Sequence, residues 1–177
     1  MEKSEWRQCM LLARSKIADR AKKDKLLTTA ALRLAESAQN VFVYVSMGSE
    51  ADTHGIIRAL YGKKNVAVPC TAPDKTMHAC RLRSLDLTCD RYGNVREQGE
   101  VCDGQADLIF VPLLGFRQDC HRIGYGAGCY DRYFSQFPSG QKVGLAYDEQ
   151  LCSFAIGPND IPLDRILTPE KCFRREK

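Results

Sequence analysis

ADLIFVP, residues 106–112, and RIGYGAGCYDRYF, residues 122–134, stand nine residues apart, and together they decide how the chain is read. ADLIFVP is a short apolar, β-branched and aromatic run stopped by proline, the strongest strand signal in the chain. RIGYGAGCYDRYF places glycine at alternate positions, Gly124, Gly126 and Gly128, and then opens a helix expected from about Tyr130 to Phe137. In open α/β sheets, ligands sit beyond the carboxyl ends of strands. A glycine-rich turn there lets backbone N–H groups approach an anion without obstruction by Cβ. The helix start adds unpaired amides and a positive dipole end. Arg122 offers a guanidinium fork suited to phosphate, and Asp131 is a hard oxygen ligand suited to Mg²⁺. The segment therefore reads as a nucleotide-phosphate cradle carrying its own metal ligand. On the residues alone a plainer reading stays open: a tight turn that needs positive φ, with Asp131 as an ordinary first-turn helix acid. No GK[ST] follows and the spacing is not GxGxxG, so neither of the two best-known phosphate loops is present.

Outward from this point the chain alternates. Trp6, Met10, Ala13 and Ile17 recur at helical spacing, with Arg7, Arg14, Lys16 and Arg20 interspersed. A second helix is expected over 25–37. VFVYVS (41–46) reads as a buried strand, THGIIRALYG (53–62) as a helix ending at Gly62, NVAVPC (65–70) as a strand and MHACRL (77–82) as a further candidate strand. Residues 90–105 read as a polar loop, 142–148 as a strand, 149–162 as irregular and 164–169 as a last strand. Phe42, Tyr44 and Tyr147 read as core. Strands alternating with helices predict one α/β domain over 1–177, a mostly parallel or mixed sheet flanked by helices in a three-layer, Rossmann-like or NagB-like architecture.

Composition bounds the function. The chain has 177 residues, 44% hydrophobic and 27% charged, enough for one domain with its own core. Nine cysteines occur without any CxxC pair, so zinc and thioredoxin-type spacings are absent and free thiols in a reducing cytoplasm are expected. The N-terminal residues carry Glu2 and Glu5 and hold no long apolar run, so no secretory signal is expected, and no run in the sequence approaches the length of a membrane span. The formal charge of +4 suits an acidic small molecule and is too weak to indicate nucleic acid.

The ordered motifs resemble those of the 5-formyltetrahydrofolate cyclo-ligase family, over nearly the whole chain. VPLLGFRQDCHRIGYGAGCYDRY is similar to the family's Val-Pro strand end and its Arg-Leu-Gly-Tyr-Gly-Gly-Gly-Tyr-Tyr-Asp-Arg-like run. KSEWR (3–7) resembles its Lys-x-x-Leu-Arg start, YVSMGSEADT (44–53) its Ser-x-x-x-Glu-x-x-Thr stretch, YGNVREQ (92–98) its Gly-Ile-x-Glu-Pro loop and AYDEQ (146–150) its Tyr-Asp-x-Gln strand end. Asp160 stands where the family has an aspartate before its final strand. The resemblance implies conversion of 5-formyltetrahydrofolate to 5,10-methenyltetrahydrofolate with ATP and Mg²⁺: the formyl oxygen takes the γ-phosphoryl group, N10 attacks the activated carbon and phosphate leaves. It implies that Lys3 and Arg7 grip ATP, and that Arg122, Gly124, Tyr125, Gly126, Ala127, Gly128, Cys129 and Tyr130 form the phosphate loop. It further implies that Asp131 and Asp160 hold Mg²⁺, that Arg122 and Asp131 are catalytic, and that Val45 and Glu50 face the folate with Arg7 and residues 125–129 nearby. Each has a plainer reading. Lys3 and Arg7 would be solvated on a helix, Glu50 would cap the helix that follows it, and Asp160 would be a turn residue.

Three departures stand out. Cys129 replaces a usual tyrosine, Ala127 a usual glycine or lysine, and Gln98 a usual proline, which leaves the ATP half nearly intact and loosens the folate half. Besides the cyclo-ligase, two alternatives stand: a paralogue with the same ATP fold and another substrate, and a non-catalytic nucleotide- or RNA-binding protein. The last ranks lowest, because interleaved aromatic and basic residues are missing. The oligomeric state is not legible.

Overall fold

In a computed structural model, residues 1–91 and 93–176 are described; Tyr92, the first residue of the YGNVREQ block, and Lys177 lie outside them. The order is α1 (Lys3–Ser15), α2 (Arg20–Ala35), β1 (Asn40–Val43), α3 (His54–Leu60), β2 (Asn65–Thr71), β3 (Met77–Leu82), β4 (Gln98–Val101), β5 (Leu108–Val111), β6 (Gly115–Phe116), β7 (Arg122–Ile123), α4 (Cys129–Gln136), β8 (Gln141–Leu145), a 3₁₀ turn (Asp148–Gln150), β9 (Arg165–Leu167) and β10 (Cys172–Arg174). Eight strands form one mixed sheet in the order β10-β9-β8-β5-β1-β2-β3-β4, and β6 and β7 form a separate hairpin. The five central strands, from β9 to β2, run parallel. The outer strands pair antiparallel.

Strand periodicity sorts the core. On β5, Leu108 and Phe110 point to one face, where α2 and α3 cover them with Leu27, Ala31, Ile56 and Ile57. Ile109 and Val111 point to the other, under Tyr133 and Phe134 of α4. On β1, Val41 and Val43 join the first face and Phe42 the second. Both faces are covered, so the central strands read as continuous apolar runs. Each fully buried Phe, Ile or Leu of these layers contributes about 1.5–3 kcal/mol.

The expected α/β domain is therefore observed, with several boundaries moved. α2 starts at Arg20 rather than near Lys25. Its first turns, RAKKDK, are good helix formers without apolar periodicity, so the pattern gave no signal there. β1 stops at Val43 rather than Ser46, because the Thr53 side chain takes over the next backbone groups: its hydroxyl donates to Tyr44 O at 2.6 Å and accepts from Ser46 N at 2.9 Å. The expected polar loop over 90–105 contains β4, and β10 follows the strand expected to be last. Both are short, polar edge strands, which lack the apolar alternation a strand is read from. Phe42, Tyr44 and Tyr147 are core, as expected. All nine cysteines are unpaired.

β1 connects through α3 to β2 on one side, and β5 connects through α4 to β8 on the other. The chain thus changes winding direction between the adjacent strands β1 and β5. A crevice opens beyond the carboxyl ends of strands at such a point.

Candidate active site

A cleft of about 1460 Å³ occupies that crevice. Tyr44 and Val45 line it beyond β1, Pro112 beyond β5, residues 122–132 along one wall, and Lys3, Arg7, Leu11 and Arg14 from α1. Every residue expected at the site lines it: Lys3, Arg7, Val45, Glu50, Arg122, Gly124 through Asp131, and Asp160. Six basic side chains face it against three carboxylates, so the cleft favours anions.

The alternate glycines have distinct uses. Gly126 and Gly128 take positive φ, +97° and +66°, and Gly128 is the N-cap of α4. Ala127, between them, has no positive φ, so its departure from glycine brings no backbone strain. A Cβ at Gly126 would stand 3.3 Å from the Arg7 guanidinium carbon. Gly124 needs neither positive φ nor clearance; its carbonyl accepts a hydrogen bond from Arg7 Nε at 3.0 Å. Three side chains fasten this loop: Arg7 at Gly124, Arg132 Nη1 at Ala127 O (2.7 Å), and the Tyr125 hydroxyl, which accepts from Arg14 Nη2 (2.7 Å) and donates to Glu50 Oε1 (2.7 Å).

Arg122 is buried, at 8% exposure, and its guanidinium turns to protein partners: Nη1 donates to Ile161 O at 3.0 Å, Nη2 to Asp131 Oδ1 at 3.1 Å. Burial lowers its pKa and the Asp131 charge works against that shift. Asp131 Oδ1 also accepts from Ile161 N at 3.2 Å, which sets this carboxylate against the backbone directly after Asp160. Asp160 Oδ2 is ion-paired with Lys3 Nζ and accepts from Gly157 N at 2.7 Å. Burial pushes the Asp160 carboxyl up, but the bonds from Lys3 and Gly157 outweigh it, and the group is held below the usual carboxylate range. Among the described residues no donor reaches Asp131 Oδ2 or Asp160 Oδ1. Each carboxylate thus has one oxygen fixed by the protein and one available.

Glu50 does not cap α3, whose N-cap is Thr53. Its Oε2 accepts from Met47 N at 2.9 Å and its Oε1 from Tyr125. Burial, and then the Glu50 charge, push the Tyr125 hydroxyl up to about 12. Cys129 lines the cleft, and its thiol donates to Lys75 O in the β2–β3 turn at 3.5 Å. Gln98 Nε2 donates to Val95 O at 2.9 Å, which closes the loop where a proline would have stiffened it.

Two residues of the site were not singled out from sequence. Arg14 had a signal: Lys3, Arg7, Met10 and Arg14 fall at helical spacing on one face of α1. Arg132 had only its place at the end of the family's Tyr-Tyr-Asp-Arg run; its role, reaching back to Ala127 O and across to Lys75 O (3.0 Å), was not legible there.

The 5-formyltetrahydrofolate cyclo-ligase family matches residues 1–169. A relative named 5-formyltetrahydrofolate cyclo-ligase from Mycoplasma genitalium is 42% identical over 73 residues, 41% of this chain and 44% of the relative, so that match spans under half of either protein. The protein of the same name from Haemophilus influenzae is 30% identical over 157 residues, 81% of this chain and 84% of its own. The solved structure of Aquifex aeolicus 5,10-methenyltetrahydrofolate synthetase superposes with a TM-score of 0.82, covering 100% of this chain and 94% of that one at 24% identity, and shares the fold. With a family match along nearly its full length and a similar relative covered over most of its own, the chain belongs to the 5-formyltetrahydrofolate cyclo-ligase family.

Proposed function

We propose that this protein converts 5-formyltetrahydrofolate to 5,10-methenyltetrahydrofolate at the expense of ATP, in the cytoplasm. The observation that carries the proposal is one juxtaposition: a glycine loop at the crevice between β1 and β5, with Asp131 and the backbone of Asp160–Ile161 held together beside it.

ATP phosphates lie along residues 124–128, where the chain offers amides, the start of α4 and the Lys3 and Arg7 charges. The formyl-bearing folate occupies the side lined by Val45, Glu50 and Tyr125. The folate's formyl oxygen attacks the γ-phosphorus and displaces ADP; N10 then closes on the activated carbon, giving up its proton, and the formyl oxygen leaves with inorganic phosphate. Such a reaction asks for positioning and charge neutralisation rather than a protein nucleophile, and the cleft supplies both.

Mg²⁺ fits the donor set, since Asp131 and Asp160 each present one carboxylate oxygen without a protein donor, and such sites combine one or two carboxylates with substrate phosphates. Once bound, the ion would neutralise charge on the transferred phosphoryl group. Arg122 and Ile161 N orient Asp131; Lys3 and Gly157 N orient Asp160.

The test is appearance of the methenyl product's absorbance from 5-formyltetrahydrofolate with and without Mg-ATP. Product only with Mg-ATP is expected. Nucleotide binding without product would favour a paralogue acting on another substrate, and binding of neither ligand would remove the proposal.

A further inference from the structure

Arg14 is 2% exposed, and among the described residues it forms no ion pair. Its guanidinium donates to three uncharged acceptors: Ser49 Oγ at 3.1 Å, Leu113 O at 3.0 Å and the Tyr125 hydroxyl at 2.7 Å. A buried cation without compensation is costly. Here the compensation arrives one step removed, because the Tyr125 hydroxyl passes its own proton toward Glu50 Oε1 at 2.7 Å. Glu50 is fixed from its other oxygen by Met47 N. The chain Arg14–Tyr125–Glu50 therefore joins three separate segments: the end of α1, the loop after β1 and the glycine loop.

Tyr125 sits between two glycines of the loop. A Cβ at Gly124 before it would meet open space, and Gly126 after it has φ of +97°. The residue is 53% exposed, yet its hydroxyl is tied at both ends. Alongside Arg7 at Gly124 O and Arg132 at Ala127 O, the loop's crest is thus held by a side-chain hydroxyl whose acceptor, Glu50, belongs to the folate wall.

We propose that Arg14 is a positioning residue acting through Tyr125, which lines both halves of the site, and that this pair couples them, so that a ligand engaging Glu50 fixes the glycine loop and favours nucleotide binding. This rests on the assignment of Glu50 to folate and of residues 124–128 to phosphate. By linkage the effect is reciprocal: nucleotide must favour folate by the same factor.

The experiment is equilibrium binding of a non-hydrolysable ATP analogue with Mg²⁺, with and without saturating 5-formyltetrahydrofolate, on wild type, Tyr125→Phe and Arg14→Lys. Tyr125→Phe removes one hydroxyl from a half-exposed ring, and Arg14→Lys keeps the charge while losing the fork, so two routes remain if one variant folds poorly. In wild type, folate should tighten analogue binding about fivefold or more, within the usual range of site-to-site coupling. In both variants the ratio should fall toward one. A purely structural role would weaken each ligand separately and leave the ratio unchanged. An unchanged ratio in a folded variant, or a wild-type ratio of one with both ligands bound, overturns the coupling and leaves the proposed function standing. Binding of neither ligand by wild type overturns both.

Discussion

Asp131 and Asp160 are each fixed through one oxygen, and the fixing partners differ in kind. Asp131 is held by the buried Arg122 and a backbone amide, Asp160 by the partly exposed Lys3 and a backbone amide. Asp131→Asn keeps the shape but removes the charge on the available oxygen. Its kcat should fall by about two or more orders of magnitude, since metal stabilisation of phosphoryl charge is worth several kcal/mol. Steady-state kinetics at saturating Mg-ATP measure this, and a variant within threefold of wild type would remove Asp131 from the metal assignment. Cys129 tests the folate side. A tyrosine there would regain a ring contact, and Cys129→Tyr should lower folate KM about tenfold if about 1.4 kcal/mol is recovered, with ATP affinity unchanged. An unchanged KM in the folded variant would confine residue 129 to its contact with Lys75 O. The cysteine's departure from the family motif was legible in sequence, but its partner was not, because that contact joins residues 54 positions apart.

α1 brings one face to the cleft. Lys3 reaches Asp160, Arg7 reaches Gly124 O, and Arg14 reaches Tyr125. Arg7→Met keeps the stem and removes the bond to the loop. ATP affinity should weaken by roughly 1.5–3 kcal/mol, the range for hydrogen bonds involving a charged group, and calorimetry reporting wild-type affinity would detach Arg7 from the nucleotide. The β6–β7 hairpin feeds the glycine loop and is braced by Arg117 on Asp119, whose carboxyl is drawn down to about 2 chiefly by that hydrogen bond. A carboxylate with a lowered folded pKa stabilises above its unfolded value near 3.9, and the contribution is lost as pH falls toward 2. Asp119→Asn should therefore flatten the stability–pH curve between about pH 4 and 2 while leaving its slope near neutrality alone. Urea titrations across that range decide it; a slope equal to that of wild type would mean the pair adds nothing. The strong elements were readable because apolar strands and a glycine-to-helix transition are local signals. β4, β10 and the first turns of α2 were not, since edge strands and charged helix turns carry no burial pattern.

At the scale of the molecule, a mixed sheet whose parallel centre reverses its winding between β1 and β5 places one loop after each of these strands on opposite walls of a single crevice. The proposed folate wall comes from the segment after β1 and the proposed phosphate loop from the segment after β5, with Asp160 delivered from the stretch before β9. Every site residue expected from motif resemblance lines that crevice. The relay from Arg14 to Glu50 was invisible in sequence, because it exists only once α1 lies across both loops. The central claim, that the formyl oxygen receives the phosphoryl group, is tested most directly by the fate of that oxygen. With 5-formyltetrahydrofolate labelled with ¹⁸O in the formyl group, a turnover with Mg-ATP should release inorganic phosphate carrying the label. Methenyl product accompanied by unlabelled phosphate would contradict the account.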